Sequence, residues 1–469
     1  MDWFANAWRA MYASMVTAAA LSAQTFTTLV NFDLTNGAGP ARMAMIQGLD
    51  GNLYGTTSSG GSALAGTIFK ITPSGALTTL HSFVGSDGSV PLAGLVLATD
   101  GNFYGTTSSG GTNGFGTVFK MTPGGTITTL YSFCPQFDCF AGANAGANPS
   151  GALIQATSGE LYGTTAHGGS SANCSFSGVI GCGTVFEIST GGVLATMHSF
   201  DGTDGLLPMA ALVQAANGNF YGTTSQGGVA SAGTVFEITP GGRFTSIHSF
   251  SASDGAFPFS ALVQATNGYL YGTTANGGAS VGGTAFRVSE GGALTTIHNF
   301  DGTDGFWPST LVQGDNGDFY ATSESGGGGV GNIFKMTPSG TVTSLHSFSD
   351  TDGCDPQGAL GQATNGTFFG TTLQCGEDNQ GTLFSLSVGL PPFVIPLPTA
   401  GSVGATVRIL GTDLTGTTGV TFNGTPAGFT VVAPTEVTTA VPSGATTGRV
   451  HVTSAERTLS STEPFLVKQ

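Results

Sequence analysis

A block of sequence recurs seven times along most of this chain, and this repetition constrains the fold more than any other feature. A Tyr-Gly-Thr-Thr element, or a close variant of it, begins at Tyr54, Tyr104, Tyr162, Tyr221, Tyr271, Tyr320 and Phe369. A Gly-Thr-x-Phe element follows each one, once as Gly-Asn-Ile-Phe. Most spacings are 48 to 50 residues, and the third copy is longer because it carries two insertions.

Each copy contains four short segments rich in β-branched or aromatic residues. In residues 211–250 they are Ala-Leu-Val-Gln-Ala, Phe-Tyr-Gly-Thr-Thr, Gly-Thr-Val-Phe-Glu-Ile and Thr-Ser-Ile-His-Ser-Phe, separated by Asn-Gly, Gly-Gly and Pro-Gly turns. No segment shows the 3.6-residue apolar period of a helix. Four antiparallel strands in about 50 residues match one propeller blade. The pattern therefore predicts an all-β chain with a seven-bladed β-propeller over residues 24–390.

The two ends of the repeat array complement each other. The seventh copy stops after its third strand, at residues 381–387, and a lone copy of the fourth strand, residues 27–32, precedes the first repeat. A ring made from one chain can close by sharing a blade between its ends, which also removes exposed sheet edges. We therefore predict that residues 25–32 complete the sheet of residues 360–388.

Residues 391–469 follow Pro391-Pro392 and lack the repeat. Apolar segments at 407–410, 420–422, 429–432 and 450–453 are separated by turn residues at the spacing of a β-sandwich, which predicts an immunoglobulin-like fold.

Two family resemblances support this organisation. The pattern DG…P…LVQATNG…YGTT…GG…GT-x-F…TTLHSF over residues 25–388 resembles the bacterial GloVer tandem-repeat proteins, which occur with a choice of surface anchors. That resemblance implies export and surface association, and it implies no assigned activity or catalytic residues. The C-terminal segment resembles IPT/TIG domains at Pro398, Gly401, Val407-Arg408-Ile409, Gly411, Gly419-Val420-Thr421-Phe422-Asn423-Gly424, Val441-Pro442 and Gly448-Arg449-Val450. This second resemblance implies a spacer or interaction module.

Charge and hydropathy exclude several classes of partner. Residues 391–469 hold four basic and four acidic side chains, so the whole net charge of −16 falls on residues 1–390. No Lys/Arg cluster is present that could displace counterions from a nucleic acid, so we expect no nucleic-acid partner.

Residues 11–23 form a short apolar segment ending in small residues, which predicts a signal peptide over residues 1–23. No later apolar run reaches the roughly 18 residues of a spanning helix, so no transmembrane segment is expected in the mature chain.

Six cysteines lie in loops that depart from the repeat consensus: Cys134, Cys139, Cys174, Cys182, Cys354 and Cys375. An even number in an exported chain favours disulfides over free thiols, and no Cys-x-x-Cys spacing indicates zinc. We predict the local pairs Cys134–Cys139, Cys174–Cys182 and Cys354–Cys375. The alternative joins Cys134 or Cys139 to Cys174 or Cys182.

Two repeated polar positions are interpreted as structural. Histidine occupies one position of the fourth strand in five copies: His81, His198, His248, His298 and His346. These residues stand on different blades, too far apart to share one metal ion. Glutamine occupies one position of the first strand in six copies: Gln47, Gln155, Gln214, Gln264, Gln313 and Gln362, where the second copy has Leu97. We expect each amide to satisfy backbone groups between blades, with a channel-lining ligand site as the alternative.

Several short motifs are weaker. The loops Asp201-Gly-Thr-Asp204-Gly and Asp301-Gly-Thr-Asp304-Gly, with related carboxylates at Asp87, Asp254, Asp350 and Asp352, resemble calcium loops but lack the third alternating carboxylate. We expect turns there, with Ca²⁺ binding as the alternative. Gly278-Ala279-Ser280-Val281-Gly282 matches a nucleophile elbow, and Gly326, Gly328 and Gly331 match a dinucleotide motif. Both motifs require a strand–turn–helix context, and both are expected in hairpin loops.

We find no cluster of residues that breaks the repeat to build an acid–base pair. Asp318, Glu324, Glu377 and Asp378 have no evident reason to meet in one cleft. The leading hypothesis is therefore a non-catalytic exported or surface-associated scaffold that binds glycans, proteins or matrix, with no assigned catalytic or metal residues and no cofactor. The alternatives are a propeller enzyme, a polysaccharide lyase or glycosidase, and a self-associating structural protein.

Overall fold

A computed structural model describes residues 24–40, 42–134, 146–176 and 179–468. These residues form short β-strands and a single turn of 3₁₀ helix, η1 (Leu414–Gly416). No helix in this part of the chain is long and apolar enough to cross a membrane.

The strands follow the repeat. Up to the end of the third repeat they are β1 (Thr25–Asn31), β2 (Ile46–Gln47), β3 (Leu53–Thr57), β4 (Thr67–Ile71), β5 (Leu77–Ser82), β6 (Val96–Leu97), β7 (Phe103–Thr107), β8 (Thr117–Met121), β9 (Ile127–Ser132), β10 (Ile154–Gln155), β11 (Leu161–Thr165), β12 (Ser175–Phe176), β13 (Val179–Ile180), β14 (Thr184–Ile188) and β15 (Leu194–Ser199). In the fourth to seventh repeats they are β16 (Val213–Gln214), β17 (Phe220–Thr224), β18 (Thr234–Ile238), β19 (Phe244–Ser249), β20 (Val263–Gln264), β21 (Leu270–Thr274), β22 (Thr284–Val288), β23 (Leu294–Asn299), β24 (Phe306–Pro308), β25 (Val312–Gln313), β26 (Phe319–Ser325), β27 (Asn332–Met336), β28 (Val342–Ser347), β29 (Gly361–Gln362), β30 (Phe368–Thr372) and β31 (Thr382–Ser387). The C-terminal segment contains β32 (Ile395–Leu397), β33 (Ala400–Ser402), β34 (Thr406–Leu410), β35 (Thr417–Phe422), β36 (Thr425–Ala427), β37 (Phe429–Ala433), β38 (Glu436–Ala440), β39 (Val450–Ser454), β40 (Thr458–Ser460) and β41 (Leu466–Lys468).

Each of the first six repeats forms an antiparallel sheet whose four repeat strands pair in chain order, consistent with propeller blades. The sixth sheet carries the additional strand β24, and the third repeat carries the small hairpin β12–β13 in its insertion. The first strand of each sheet is only two residues long, shorter than predicted. In the fourth repeat, for example, Leu207 is in the left-handed conformation and precedes Pro208, so the chain is still turning there.

The N-terminal strand belongs to the last sheet. Strand β1 pairs antiparallel with β31, with Thr25 opposite Ser387 and Asn31 opposite Thr382, and the sheet order is β1-β31-β30-β29. The prediction that residues 25–32 complete the sheet of residues 360–388 is confirmed.

Apolar clusters connect consecutive sheets. The first and second sheets share one cluster, and five more connect each later sheet to the next. A seventh cluster joins Phe32 and Leu383 of the last sheet to Met43 and Phe69 of the first. Tyr54, fully buried like its repeat equivalents, packs against Phe103 of the next sheet at 4.1 Å between ring centroids.

The C-terminal segment has a separate core. Two four-stranded antiparallel sheets, β32-β34-β38-β37 and β36-β35-β39-β40, are joined by the parallel pair β33–β41. Val407, Phe422, Val437 and Phe465 are buried together in one cluster that contains no buried residue of the repeats.

Two disulfides are present in the described residues, Cys174–Cys182 and Cys354–Cys375. They are two of the three pairs predicted from the sequence. The third predicted pair requires Cys139, which lies outside the described residues, as does the predicted signal peptide over residues 1–23.

Candidate ligand-binding cavity

The five repeated histidines form separate pairs, each with the aspartate six residues later. The Nε2–Oδ2 distances lie between 2.5 and 3.0 Å in His81–Asp87, His198–Asp204, His248–Asp254, His298–Asp304 and His346–Asp352. Each aspartate also receives a backbone N–H from its own turn, as Asp204 does from Asp201 at 2.9 Å. These contacts fix the turn after the fourth strand, as the sequence predicted.

The suggested calcium loops follow the same pattern. Asp201 accepts the Thr203 hydroxyl at 2.7 Å, and Asp301 accepts that of Thr303 at 2.6 Å. Within the described residues, no group of three or more His, Cys, Asp or Glu side chains could hold a metal ion.

The repeated glutamines link neighbouring sheets. Their Oε1 atoms accept backbone N–H groups of the preceding sheet in the pairs Thr99–Gln155, Thr157–Gln214, Ala216–Gln264, Thr266–Gln313 and Thr364–Gln47, at 2.7 to 3.1 Å. Each amide also donates to the carbonyl of a glycine four residues later, as Gln155 does to Gly159 at 2.8 Å. The structural interpretation of these residues is therefore confirmed.

Leu97 replaces glutamine where the C-terminal segment touches the repeats. It is buried in the cluster between the first two sheets, against which Leu49 and Leu397 also pack. Nearby, the Thr435 hydroxyl donates to the carbonyl of Leu49 at 2.6 Å. An apolar residue is suited to this position because Leu97 packs into the buried cluster between the first two sheets.

A cavity of about 430 Å³ opens at the other end of the first strands, and all seven repeats contribute to its lining. We call it the seven-repeat cavity. Its wall contains the residue three positions before the glutamine position in every repeat: Ala44, Gly94, Ala152, Ala211, Ala261, Thr310 and Ala359. These residues are small, so they leave the space open, and we call them the small-residue ring.

The backbone above this ring has the same unusual conformation in every repeat. The residue before each proline has a positive φ, between 53° and 57°, at Gly39, Val90, Asn148, Leu207, Phe257, Trp307 and Asp355. Only one of the seven is glycine, although side chains disfavour this region. The N–H of each reaches a carbonyl of the preceding repeat, as in Val90 to Ala65 at 2.9 Å. Regular hydrogen bonding thus holds six different side chains, and Gly39 in the first repeat, on the same backbone conformation.

The distinctive side chains of the cavity come from the first, fifth, sixth and seventh repeats. The Arg42 guanidinium lies 5.2 Å from the centroid of the Phe259 ring. Gln357 donates from Nε2 to Oε1 of Glu324 at 3.0 Å. Trp307, which is 45% exposed, donates from its indole N–H to Asn276 at 3.3 Å.

Desolvation changes the acid–base properties of two charged residues in this lining, of which Glu324 is half-buried and Arg42 is exposed at the surface. Desolvation raises the pKa of the Glu324 carboxyl above its ordinary value, and the negative charge of Asp355 adds to this rise. The hydrogen bond from Gln357 and the positive charge of Arg42 lower the pKa and oppose part of the rise. Desolvation lowers the pKa of Arg42, and the Glu324 carboxylate acts in the opposite direction. The cavity therefore contains opposite charges that interact without a direct contact, beside two aromatic rings.

Sequence reasoning missed this cluster, because it searched only for an acid–base pair among the residues that break the repeat. Of the four carboxylates considered, only Glu324 lines the cavity. Asp318 pairs with Lys335 at 3.4 Å, and the backbone of Glu377 bonds to Asn31. Arg42 and Phe259 occupy the position five residues before the glutamine position of their repeats. The residue at this position differs in every copy, so a comparison of the seven repeats would have signalled both.

The two chance motifs lie in loops. Residues 278–282 connect β21 to β22, and residues 326–331 connect β26 to β27, so neither precedes a helix. Ser280 is exposed and does not line the cavity.

A family model described as the Gloeobacter/Verrucomicrobia repeat matches residues 13–176, 137–280 and 212–433. These matches together span most of the chain. The chain belongs to the Gloeobacter/Verrucomicrobia repeat family. No functionally curated protein matches the sequence of this Gloeobacter/Verrucomicrobia repeat protein.

Three solved structures illustrate the distant similarity of other proteins to this Gloeobacter/Verrucomicrobia repeat protein. One is the extracellular domain of a protein assigned as a hybrid two-component system of B. thetaiotaomicron, which is 12% identical to this chain. The match covers 93% of this chain and 57% of that structure, with a TM-score of 0.49. A gluconolactonase from Xanthomonas campestris is 12% identical, covers 80% of this chain and 92% of its own, and has a TM-score of 0.40. A protein of unknown function from Bacteroides thetaiotaomicron is 12% identical, with coverages of 78% and 76% and a TM-score of 0.41. These similarities are too low to transfer a function.

Proposed function

We propose that this protein is an exported, non-catalytic binding scaffold that holds a neutral saccharide in the seven-repeat cavity. In this proposal residues 24–390 form a seven-bladed β-propeller, and residues 391–469 form an immunoglobulin-like domain of the IPT/TIG type. The seven sheets and the seven clusters between them support the ring, because the last cluster returns to the first sheet. The two disulfides support export, because disulfides persist in oxidising compartments.

The observation that carries the proposal is the loss of repeat symmetry at the cavity. Positions that serve packing are nearly the same in every copy, as in the glutamine and Tyr-Gly-Thr-Thr positions. Around the cavity, equivalent positions hold different residues, including Arg42 and Phe259, on the same repeated backbone. A purely structural position needs no such variety, whereas an asymmetric ligand requires different groups on different sides.

The residue types favour a saccharide. A pyranose ring presents C–H groups on its faces and hydroxyl groups at its edge. Phe259 and Trp307 offer aromatic surfaces for the faces, and Arg42, Glu324 and Gln357 offer planar donors and acceptors for adjacent hydroxyls. The charges of Arg42 and Glu324 oppose each other, and the protein carries a net charge of −16, so a neutral ligand fits better than an anion.

The test is a printed array of neutral and charged oligosaccharides, followed by titration of the bound glycans with intrinsic fluorescence. Comparison with Trp307→Phe isolates the signal of the tryptophan in the cavity. Arg42→Gln should weaken binding at least about tenfold, because hydrogen bonds to charged groups are worth about 1.5–3 kcal/mol. Arg287→Gln is the matched control, since Arg287 also lies over an aromatic ring, 5.1 Å from that of Tyr269, outside the cavity lining.

Two results would refute this proposal. Equal glycan affinities of the Arg42→Gln and Arg287→Gln variants would show that the cavity is not the binding site. Release of reducing sugar from a bound glycan, abolished by Glu324→Gln, would instead identify a glycosidase.

A further inference from the structure

We infer that the seven-repeat cavity is blind and therefore binds the end group of a glycan chain, not an internal segment. This inference rests on the proposed ring and saccharide ligand, and it specifies which part of the saccharide is bound. It follows from what lies below the small-residue ring and from where the C-terminal segment sits.

The channel narrows directly below the small-residue ring. Side chains alternate between two faces of an extended chain, so the residue two positions after each ring residue lies on the same face. In six repeats that residue is β-branched: Ile46, Val96, Ile154, Val213, Val263 and Val312. All six are partly buried against the clusters between sheets, and none lines the cavity. The lining of the cavity therefore ends above them, with a stiff branched side chain at this level in six repeats and Gly361 in the seventh.

The C-terminal segment covers the far end of the same channel. It contacts the turns that follow the first strands, on the side away from the cavity. Lys468 donates to the carbonyl of Thr157 in the third repeat at 2.5 Å, and Arg449 lies 3.5 Å from Asp315 in the sixth. Thr412 bonds to Thr364 in the seventh repeat at 2.7 Å. The third and sixth repeats face each other across a ring of seven, so a segment that touches both lies across the axis.

A cavity with one entrance selects for chain ends. A glycan cannot pass through it, and a volume of about 430 Å³ is near the lower end of the roughly 300–1,000 Å³ of small-molecule pockets. A terminal residue can enter the cavity directly, whereas an internal segment has chain on both sides that must leave through the same mouth.

The experiment uses the full chain and an array of neutral oligosaccharides in which each terminal disaccharide also appears at an internal position. We expect at least tenfold stronger binding to the terminal form. Ala211→Met places a long side chain into the small-residue ring and should reduce this binding at least tenfold. Ala216→Met, at an exposed position beyond the other end of β16, should leave it unchanged.

The outcomes separate the two proposals. Equal binding of terminal and internal forms, lost in Ala211→Met, would overturn the blind cavity and retain saccharide binding. Binding to chain ends that Ala211→Met leaves intact would place the site elsewhere and overturn the inference. Absence of binding to any saccharide would overturn the proposed function and this inference with it.

Discussion

The side-chain carbonyl of Gln47 accepts a hydrogen bond from the backbone N–H of Thr364 at 2.8 Å, joining the first sheet to the last. Gln47 is 7% exposed and Thr364 is fully buried, so neither group can turn to water without opening this junction. The same bond recurs at four other junctions between consecutive sheets. It is therefore a repeated element that also serves where the chain ends meet.

Gln47→Leu should lower the free energy of unfolding by about 1–3 kcal/mol, because it leaves the buried N–H of Thr364 without an acceptor. Urea denaturation followed by circular dichroism measures the change. Gln362→Leu is the matched control, since in the described structure its amide contacts only Gly366, at 3.4 Å. Its loss should be smaller, and an equal loss in both variants would show that the bond between sheets contributes nothing.

The N-terminal strand should be essential to stability. Phe32 is fully buried and lies 5.5 Å from Phe69 of the first sheet, measured between ring centroids. Phe32→Ala should therefore cost about 3–5 kcal/mol, whereas Thr27→Ala, at an exposed position of the same strand, should change stability by less than about 0.5 kcal/mol. Deletion of residues 25–32 should cause aggregation. A soluble deletion variant with an unchanged melting temperature would contradict the role of this strand.

Glu324 should make stability depend on pH in the direction set by its raised pKa. Below its ordinary pKa of 4.5 the carboxyl is protonated in both folded and unfolded chains. As pH rises towards the higher pKa of the folded state, the carboxyl ionises readily in the unfolded chain but only at a cost in the folded protein. The stability that the protonated carboxyl contributes is therefore lost as pH rises through the folded-state pKa. Glu324→Gln should match the parent near pH 4 and melt at a higher temperature at pH 7. Glu377→Gln, at an exposed position, is the control for the loss of one negative charge, and a flat difference between Glu324→Gln and the parent across this pH range would refute the argument.

The two disulfides should stabilise the protein to different extents. Cys354 and Cys375 are separated by 21 residues, and Cys174 and Cys182 by 8. A chain-entropy model assigns about 3 kcal/mol to the longer loop and about 2.5 kcal/mol to the shorter one. Paired Cys→Ser variants measured by urea denaturation test this order. Non-reducing peptide mapping tests the pairing, and a peptide joining Cys134 to Cys174 or Cys182 would contradict it.

The sequence alone determined the strands, their order within each sheet and the closure of the last sheet by residues 25–32. Each of these depends on local patterns, such as alternation and turn residues, that recur in every copy. The shared role of the glutamines was also predictable, because six copies carry the same residue at the same place. Repetition made these inferences robust, since one correct assignment applies to all copies.

Only the tertiary structure decided the site. Arg42 and Glu324 belong to the first and sixth repeats, and Phe259 and Gln357 to the fifth and seventh. The sequence around any one of them does not indicate a pocket, because each contributes a single side chain to it, and only a comparison of equivalent positions between repeats distinguishes Arg42 and Phe259. Arg42, Phe259 and Gln357 meet because the sheets place equivalent backbone positions at one mouth, and Glu324 reaches the same cavity from the end of β26. Proximity is therefore set by the arrangement of sheets and not by sequence separation.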